Sequence, residues 1–327
     1  MTATLPQAVQ EVFARFVTTE LTTIDSGGRP ITWPVTPYYS PGAATIDVTT
    51  GLGWPKKARD AAANPKVALL FSDATGSGIE RAPMVLVQGV AEVSDRDLDA
   101  NRERWVREHA EKLPERPGGP PSPTVQRRHD WYYARIYMHV RPERVYVWGD
   151  GDVEREPVLL RTHTEEVRSG HDEEAESDAL PLAGGRGRWD RRLVELGRRY
   201  PTAVLTLVAP DGFPFSMRVP IWALRRGRAI RVDASPVGAP LRPGPVCLTA
   251  HDHDEALRWQ RNFQVRGDLV EDASGGWVVI PQRVVHGFEL PPVGPVTRAI
   301  SNFTRIRRYR RLARRERGRL GGSPPGR

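Results

Sequence analysis

The chain has 327 residues, of which 39% are hydrophobic, enough for a packed core and about two domains of ordinary size. Thirty glycines and thirty prolines predict many turns, as an all-β fold requires. The single cysteine, Cys247, excludes a disulfide framework and a cysteine-based metal cage. No apolar run approaches the roughly 20 residues that span a bilayer, and no signal peptide is recognisable, so we expect a cytoplasmic protein.

The net charge of +8 is concentrated at the C-terminus. Residues 298–327 contain eleven arginines against the single Glu316, a net of +10, so the remainder carries about −2 (8 − 10). A basic helix with apolar residues at every third position could bind a polyanion or a membrane surface. We favour a solvated or disordered extension with a short docked apolar edge, in which any contact with a polyanion or membrane surface is weak.

One strand–turn–strand pattern occurs twice in the chain. The stretch 21–35 returns as 205–219 without a gap, at a constant offset of 184 (205 − 21 and 219 − 35). Each copy has an apolar strand, a glycine-containing turn and a second strand that Pro30 or Pro214 opens, which is typical of a β-hairpin. A glycine inside a strand also repeats, at Gly89 and Gly267, and predicts a bulge or a close backbone approach. The repetition predicts two copies of one β-domain.

Composition places the boundaries of these copies. We predict a first domain over 1–153, an acidic linker over 154–185, a second and degenerate domain over 186–293, and an arginine-rich tail over 294–327. The first domain is predicted to contain helices at 5–16, 56–63 and 95–112 and strands, besides its hairpin, at 45–50, 67–71, 84–93, 131–140 and 144–148. The second is predicted to contain a helix at 190–199 and strands, besides its hairpin, at 246–250, 263–270, 277–280 and 284–290.

The order of elements in the first domain resembles a known family. A strand that ends in Thr49-Thr50 is followed by Lys57-Ala-Arg-Asp-Ala-Ala-Ala-Asn64-Pro65 and then by a buried strand. This order resembles the pyridoxamine 5′-phosphate oxidase-like family, the FMN-binding split β-barrels, which include deazaflavin-dependent reductases. The resemblance covers 5–148 well and 193–290 more loosely. It implies a mainly β fold with a few helices, in which two tandem split barrels form an internal pseudo-dimer that could dimerise further.

The resemblance also implies which residues hold the cofactor. The family's phosphate-binding lysine falls seven residues before the Asn-Pro pair, at Lys57. Thr49 and Thr50 would add hydroxyl donors and Lys56 a second cation, at a helix start that favours anions. The glycines of the intervening turn, Gly51 and Gly53, would let the backbone approach the phosphate. The alternative for Lys57 is a solvated surface lysine before an ordinary helix.

The two copies differ in what they retain of such a site. Many FMN-binding members carry an arginine in the second hairpin strand, where the first copy has Trp33-Pro34 and the second has Arg218. The second copy lacks the lysine helix. Either a composite site survives, with Arg218 across the interface, or the second half is purely structural. Trp148 could flank a flavin ring and Gln88 could reach a ring edge, the alternatives being a core residue for Trp148 and a solvent-facing residue for Gln88.

A histidine pair in the second domain has ligand types that a metal site could use. His251 and His253 place two imidazoles on one strand face, and His286 lies in a later strand, so three histidines could hold zinc or iron. His251, however, aligns with Ser72 at a strand end, where turns collect polar residues. We therefore predict no metal site.

These patterns predict an oxidoreductase that uses FMN or a deazaflavin coenzyme on a small organic substrate. No residue is identified as an acid, base or nucleophile, because the redox chemistry in such a protein belongs to the cofactor. The alternative is a non-catalytic flavin- or haem-binding protein of the same fold, with haem ranking behind the flavins.

Overall fold

The computed structural model describes residues 5–114, 120–161, 198–224, 229–233, 238–289 and 295–321, together with Leu193 and Leu196. The helices of the first unit are α1 (Gln7–Arg15), α2 (Lys56–Ala63), α3 (Leu98–Lys112), α4 (Pro123–Arg128) and α5 (Asp130–Tyr133). Its strands are β1 (Thr19–Ile24), β2 (Pro30–Val35), β3 (Pro37–Tyr38), β4 (Ile46–Gly51), β5 (Lys66–Phe71), β6 (Met84–Ser94), β7 (Arg135–Trp148) and β8 (Val158–Arg161). The second unit contains β9 (Thr202–Val208), β10 (Pro214–Leu224), β11 (Ala229–Val232), β12 (Gly244–His253), β13 (Gln260–Glu271) and β14 (Trp277–Glu289), and α6 (Pro295–Arg319) follows.

The strands form two sheets, one per unit. In the first unit the order is β2-β1-β5-β6-β7-β4-β3, with β8 added beside β7, which makes an eight-stranded half-barrel. In the second unit β10-β11-β14-β13-β12-β9 close into a six-stranded barrel. The mainly β fold with two barrel-type domains is therefore confirmed. Within the described ranges, no helix has both the length and the apolar character needed to cross a membrane.

The hydrophobic core of the second barrel continues into the first unit. Leu70, Leu86 and Trp148 of the first half belong to the same buried cluster as Leu205 and Met217 of the second. Apolar burial at about 25 cal/mol per Å² is non-directional, so a shared cluster holds the two units together without fixing their register.

Four buried hydroxyls in this interface define the register. Thr22 contacts Thr32 at 2.8 Å, and Thr206 contacts Ser216 at 2.9 Å, within the two hairpins. Across the interface the Thr32 hydroxyl donates to Thr206 at 2.9 Å, and Thr22 contacts Ser216 at 3.2 Å. Both equivalent pairs, Thr22 with Thr206 and Thr32 with Ser216, are 184 residues apart (206 − 22 and 216 − 32). The sequence repeat therefore reappears as a closed ring of hydroxyls about a pseudo-twofold axis.

Each unit has one strand where two shorter strands were predicted. The long strands β7 and β14 run without interruption through Pro142 and Pro281, which lie in the gaps between the predicted shorter strands. In the structure each proline faces a bulge, opposite Gly89 or Gly267, where the register shifts. A Cβ on either glycine would collide with a backbone carbonyl of the facing strand. The predicted bulges are confirmed, and the predicted breaks at 141–143 and 281–283 are wrong.

Two predicted boundaries also change. The first residues predicted as the strand 131–140, including Trp131, form the short helix α5. Strand β8 lies inside the range 154–185 that was predicted as a linker, and it pairs with β7. The rest of that range, from 162 onwards, lies outside the described residues.

The arginine-rich tail is not a solvated extension over 295–321 but a helix that docks on the first unit. Arg59 forms an ion pair with Glu316, which is fully buried, and Arg317 pairs with Asp130 at 2.7 Å. Tyr309 stacks on Trp131 at 5.4 Å between ring centroids. The sequence reading followed apolar residues in steps of three, whereas the docked face follows the α-helical period through positions 309, 313, 316 and 320.

The hydroxyl ring gives the first prediction. Thr206→Val should lower the free energy of unfolding by about 1–3 kcal/mol, because Thr32 and Ser216 lose a buried hydrogen-bond partner. Thr23→Val is the matched control, since the Thr23 hydroxyl is equally buried but has no partner among the described residues. Chemical denaturation of both variants checks this, and an equal loss in the two would show that the ring contributes nothing specific.

Candidate functional site

Lys57 lies at the start of α2, the helix predicted over 56–63. Its ammonium donates to the Thr50 hydroxyl at 3.2 Å, and that hydroxyl donates to the Trp54 carbonyl at 2.8 Å. The helix begins after Pro55, whose fixed φ suits a first turn, and ends at Asn64, because Pro65 cannot continue it. The sequence therefore places the lysine directly beside the end of β4.

A second cation, Arg135, lies at the same end of the sheet and was not predicted. It starts β7 opposite Gly51 and is only 8% exposed. Its guanidinium lies over the rings of Trp105, at 3.7 Å, and Tyr132, at 4.6 Å, and its Nε has no hydrogen-bond partner in the described part of the chain. The arginine is held by aromatic faces rather than by a counter-ion.

Within the described ranges, neither of these two cations, Lys57 and Arg135, forms an ion pair with a carboxylate. Burial, and next the positive charge of Arg135, lower the pKa of Lys57 to about 8. The two side chains lie close together, and each positive charge disfavours the other. A bound anion would stabilise the charged form of both.

The two other predicted phosphate ligands are placed differently. Lys56 donates to both carboxylate oxygens of Asp60 at 2.8–2.9 Å, and its side chain is 54% exposed. Thr49 pairs with Tyr137 in the sheet, and because successive residues of a strand face opposite sides, it does not share the face of Thr50. Of the four residues at 49, 50, 56 and 57, the structure brings Thr50 and Lys57 into contact.

The turn glycines do not lie open to a ligand. A Cβ on Gly51 would meet the carbonyls of Trp131 and Tyr132 at 2.9–3.0 Å. A Cβ on Gly53 would meet Trp131 and, at 3.1 Å, the Cβ of Tyr309. The absence of a side chain at these two positions therefore makes room for α5 and α6 of the chain itself.

Arg218 is engaged between the two units. It donates to Glu20 of β1 at 2.9 Å and to the Ser72 hydroxyl at 3.0 Å. The same carboxylate oxygen of Glu20 lies 2.5 Å from Nε2 of His251 and accepts a hydrogen bond from Ser72 at 2.9 Å. None of these contacts involves Lys57, so the structure assembles a second, separate polar cluster around Glu20.

Glu20 is ionised in this cluster although it is only 1% exposed. Burial alone would raise its pKa, but the hydrogen bond and charge of His251, the charge of Arg218 and the hydrogen bond of Ser72 lower it below its ordinary value of 4.5. The net shift is downward. A buried carboxylate of this kind depends on its partners, and both Arg218 and His251 come from the other unit.

Gln88 and Trp148 lie in the interface core. Gln88 is buried, and its amide donates to the Pro214 carbonyl of the second unit at 2.9 Å. Trp148 is 2% exposed and packs edge-to-face with Phe215. Trp148 and Arg135 are at opposite ends of β7, about 40 Å of extended strand apart. The structure therefore does not bring Gln88, Trp148 and Arg218 together with Lys57.

Sequence reasoning missed Arg135, Glu20 and Asp73. Arg135 carries a usable signal, since an arginine after Trp131-Tyr-Tyr133 is a charge at the edge of an aromatic run. Glu20 is also the one charged residue in a run of mostly β-branched residues, 17–24. Asp73 has no such signal, because an acidic residue after a strand is ordinary turn composition.

No protein-family model and no curated protein matches the chain. Several solved structures are similar to it. An F420 reductase is 17% identical, with a TM-score of 0.32, over 43% of this chain and 98% of the other. General stress protein 26 from Bacillus anthracis is 18% identical, with a TM-score of 0.30, over 47% and 99%. A FAD-binding protein from Mesorhizobium loti is 17% identical, with a TM-score of 0.29, over 44% and 93%. These neighbours are split-barrel proteins.

Glu20 gives a prediction about acid stability. Its pKa is lower in the folded chain than in the unfolded one, so its contribution is present above pH 4.5 and is lost as the pH falls towards the folded value. Glu20→Gln should lower the free energy of unfolding at pH 7 by about 3 kcal/mol or more, because Arg218 loses its buried partner. Below pH 4.5 the stability of the variant should fall less steeply than that of the wild type.

Urea denaturation at pH 7, 5, 4 and 3 measures both effects. Glu92→Gln is the control, since Glu92 is an exposed carboxylate on β6. If Glu20→Gln and Glu92→Gln followed the same pH profile, the Glu20 cluster would make no special contribution.

Proposed function

We propose that this chain binds a flavin or deazaflavin coenzyme through its phosphate at Lys57, Thr50 and Arg135, and acts as an oxidoreductase on a small organic substrate. The observation that carries the proposal is the pair of desolvated cations at one end of the first sheet. Neither has a carboxylate partner among the described residues. The order of elements around Lys57, which resembles that of FMN-binding split barrels, points to the same residue.

The donors at this corner suit a phosphate. Lys57 presents an ammonium, and Arg135 presents a planar guanidinium whose Nε has no hydrogen-bond partner in the described part of the chain. Hydrogen bonds between ionised donors and phosphate oxygens are roughly twice as strong as neutral ones. An anion would also offset the two causes that lower the pKa of Lys57 to about 8, which are burial and then the positive charge of Arg135. The fit concerns the phosphate end of the cofactor.

The aromatic residues around Arg135 have a positioning role. Trp105 and Tyr132 lie against the guanidinium from α3 and α5, and Asn101 of α3 donates to the Arg135 carbonyl at 3.1 Å. These contacts hold the arginine in one orientation before a ligand arrives, which reduces the entropy cost of binding. A bound flavin or deazaflavin would supply hydride or electron-pair transfer, while these residues bind and orient it.

The proposed ligand set differs from the sequence expectation. It keeps Thr50 and Lys57 and adds Arg135. It leaves out Lys56, which pairs with Asp60, and Arg218, which pairs with Glu20. Thr49 is left out because it points to the opposite face of β4 from Thr50. Gln88 and Trp148 are left out because they lie in the core between the two units.

The second candidate is a non-catalytic flavin- or haem-binding protein. One observation favours it: the interface where a composite site was expected is occupied by the ion pair between Glu20 and Arg218 and by the hydroxyl ring. Reduction of the bound cofactor by a reduced nicotinamide or a deazaflavin donor, followed by stopped-flow absorbance, separates the two candidates. Binding without turnover would favour the non-catalytic one.

The proposed site is tested by paired lysine variants. Lys57→Ala should weaken FMN or deazaflavin binding by about tenfold or more, because a charge-assisted hydrogen bond contributes about 1.5–3 kcal/mol. Lys56→Ala, its neighbour, should leave the affinity within about twofold, because the Lys56 ammonium is already paired with Asp60. Flavin fluorescence quenching measures both dissociation constants.

Arg135→Met extends the same test. It should weaken binding about as much as Lys57→Ala, while near-ultraviolet circular dichroism checks that the Trp105 and Tyr132 packing survives. Equal losses in Lys56→Ala and Lys57→Ala would show a diffuse charge effect rather than the proposed site.

The pKa of Lys57 gives a pH prediction. In the free protein Lys57 is mostly charged below about pH 8 and mostly neutral above it. The affinity of the protein for the phosphate of the cofactor should therefore fall as the pH rises. With about one tenth of the sites still charged at pH 9, the dissociation constant for FMN should rise about tenfold between pH 7 and pH 9. In Lys57→Met the dissociation constant for FMN should be larger than in the wild type at pH 7 but nearly constant between pH 7 and pH 9. A wild-type constant that did not change would contradict the placement of the phosphate at Lys57.

A further inference from the structure

Two histidines and an aspartate meet where the two units touch at the end of β12. His251 and His253 lie on one face of that strand, with their rings parallel and 6.0 Å apart. Asp73 follows β5 of the first unit. One of its oxygens lies 3.7 Å from Nδ1 of His251 and 3.5 Å from Nε2 of His253. The cluster does not depend on the flavin site proposed above.

The hydrogen bonds of His251 determine which nitrogen carries its proton. Nε2 lies 2.5 Å from the ionised carboxylate of Glu20, which can only accept, and 3.1 Å from Nη2 of Arg218, which can only donate. The shorter contact, to the carboxylate, assigns the hydrogen to Nε2. In the neutral imidazole Nδ1 then has a free lone pair. That atom is buried and has no hydrogen-bond partner in the described ranges, and it points towards the carboxylate of Asp73. Nδ1 of His251, an acceptor without a hydrogen-bond donor in the described ranges, thus faces the carboxylate of Asp73, which is also an acceptor.

His253 is oriented in the same sense by a different contact. Its Nδ1 donates to the Asp254 carbonyl at 3.0 Å, so in the neutral ring Nε2 presents its lone pair. Nε2 accepts from the Thr18 hydroxyl at 2.9 Å and lies beside Asp73. In both histidines the nitrogen away from Asp73 bonds to an oxygen acceptor, which is how metal-binding imidazoles are normally oriented.

From this arrangement we propose that Asp73, His251 and His253 bind one divalent transition-metal ion of the Zn²⁺ type between the two units. The three ligand atoms are Oδ2 of Asp73, Nδ1 of His251 and Nε2 of His253, and all lie within 4.8 Å of one another. Ligands at the usual zinc distances of about 2.0–2.2 Å stand about 3.4 Å apart in a tetrahedron. The two separations from Asp73 exceed that value by 0.1–0.3 Å.

The donor set selects the class of metal. Two imidazoles and one carboxylate suit Zn²⁺ and its neighbours in the first transition row, whereas Mg²⁺ and Ca²⁺ require oxygen ligands. Three protein ligands leave a fourth position for water. The histidine side chains are 2% and 1% exposed and that of Asp73 is 19% exposed, so the ion would enter past Asp73.

The metal would join the halves of the chain. Asp73 belongs to the first unit and both histidines to the second, so one ion would link them beside the contacts of Glu20. The sequence reading considered His286 as a third ligand, whereas here the aspartate completes the set. The nearby Thr18 hydroxyl competes for Nε2 of His253, so its hydrogen bond is exchanged for the metal bond.

Zinc binding by the untagged full-length chain tests the proposal. After treatment with a chelator and dialysis, the wild type should take up one Zn²⁺ per chain in isothermal titration calorimetry, with mass-spectrometric metal analysis of the dialysed complex. Asp73→Asn and His253→Ala should weaken this binding by more than about 100-fold, because each removes a direct ligand. Zinc should also raise the melting temperature of the wild type and of neither variant.

Two further variants sharpen the result. Asp252→Asn is the matched control, since Asp252 lies between the two histidines on the exposed face of β12 and should bind zinc as the wild type does. Thr18→Val removes the hydroxyl that competes for Nε2 of His253 and should bind zinc at least as tightly as the wild type. This variant keeps both histidines, so it still tests the proposal if His253→Ala fails to fold. A wild type that binds no zinc would overturn the proposal, as would an equal loss in Asp252→Asn.

Discussion

A buried carboxylate between the two units constrains the whole molecule. Glu20 of β1 is almost fully enclosed, and its partners, Arg218 and His251, come from the other half of the chain. A buried charge without a partner costs several kcal/mol. A sliding movement of the units that left Glu20 buried but took away Arg218 and His251 would therefore be strongly unfavourable. The hydroxyl ring of Thr22, Thr32, Thr206 and Ser216 adds a directional requirement to the same interface, because each hydroxyl needs its neighbour.

This interface explains why the two halves have different chemistry. In the second unit Arg218 is used to neutralise Glu20, so it is not available for a ligand on its own hairpin. In the first unit the cations at the far end of the sheet, Lys57 and Arg135, are left without acidic partners in the described part of the chain. Among the described residues, the two halves thus differ: the Glu20 cluster contains both signs of charge, whereas Lys57 and Arg135 are two cations without a carboxylate partner.

Particular residues show how far the sequence could be read. The helix at 56–63, the repeated hairpins and the two strand glycines follow from local rules, since each depends on residues within one element. The continuity of β7 and β14 through Pro142 and Pro281 does not follow from local rules, because each bulge depends on the facing glycine of another strand. The docked face of α6 was misjudged because burial of Glu316 depends on Arg59, which is 257 residues earlier in the chain.

The sequence by itself determined the repeat, the mainly β fold and the lysine at the start of α2, because hydrophobic period, turn residues and proline positions act over a few residues. Only the tertiary structure decided which charged side chains meet. Lys57 with Arg135, Glu20 with Arg218, and Asp73 with His251 and His253 join residues far apart in the chain. The interaction energies of these groups depend on burial and on distances of a few ångströms, and neither quantity can be deduced from the residues nearby in the sequence.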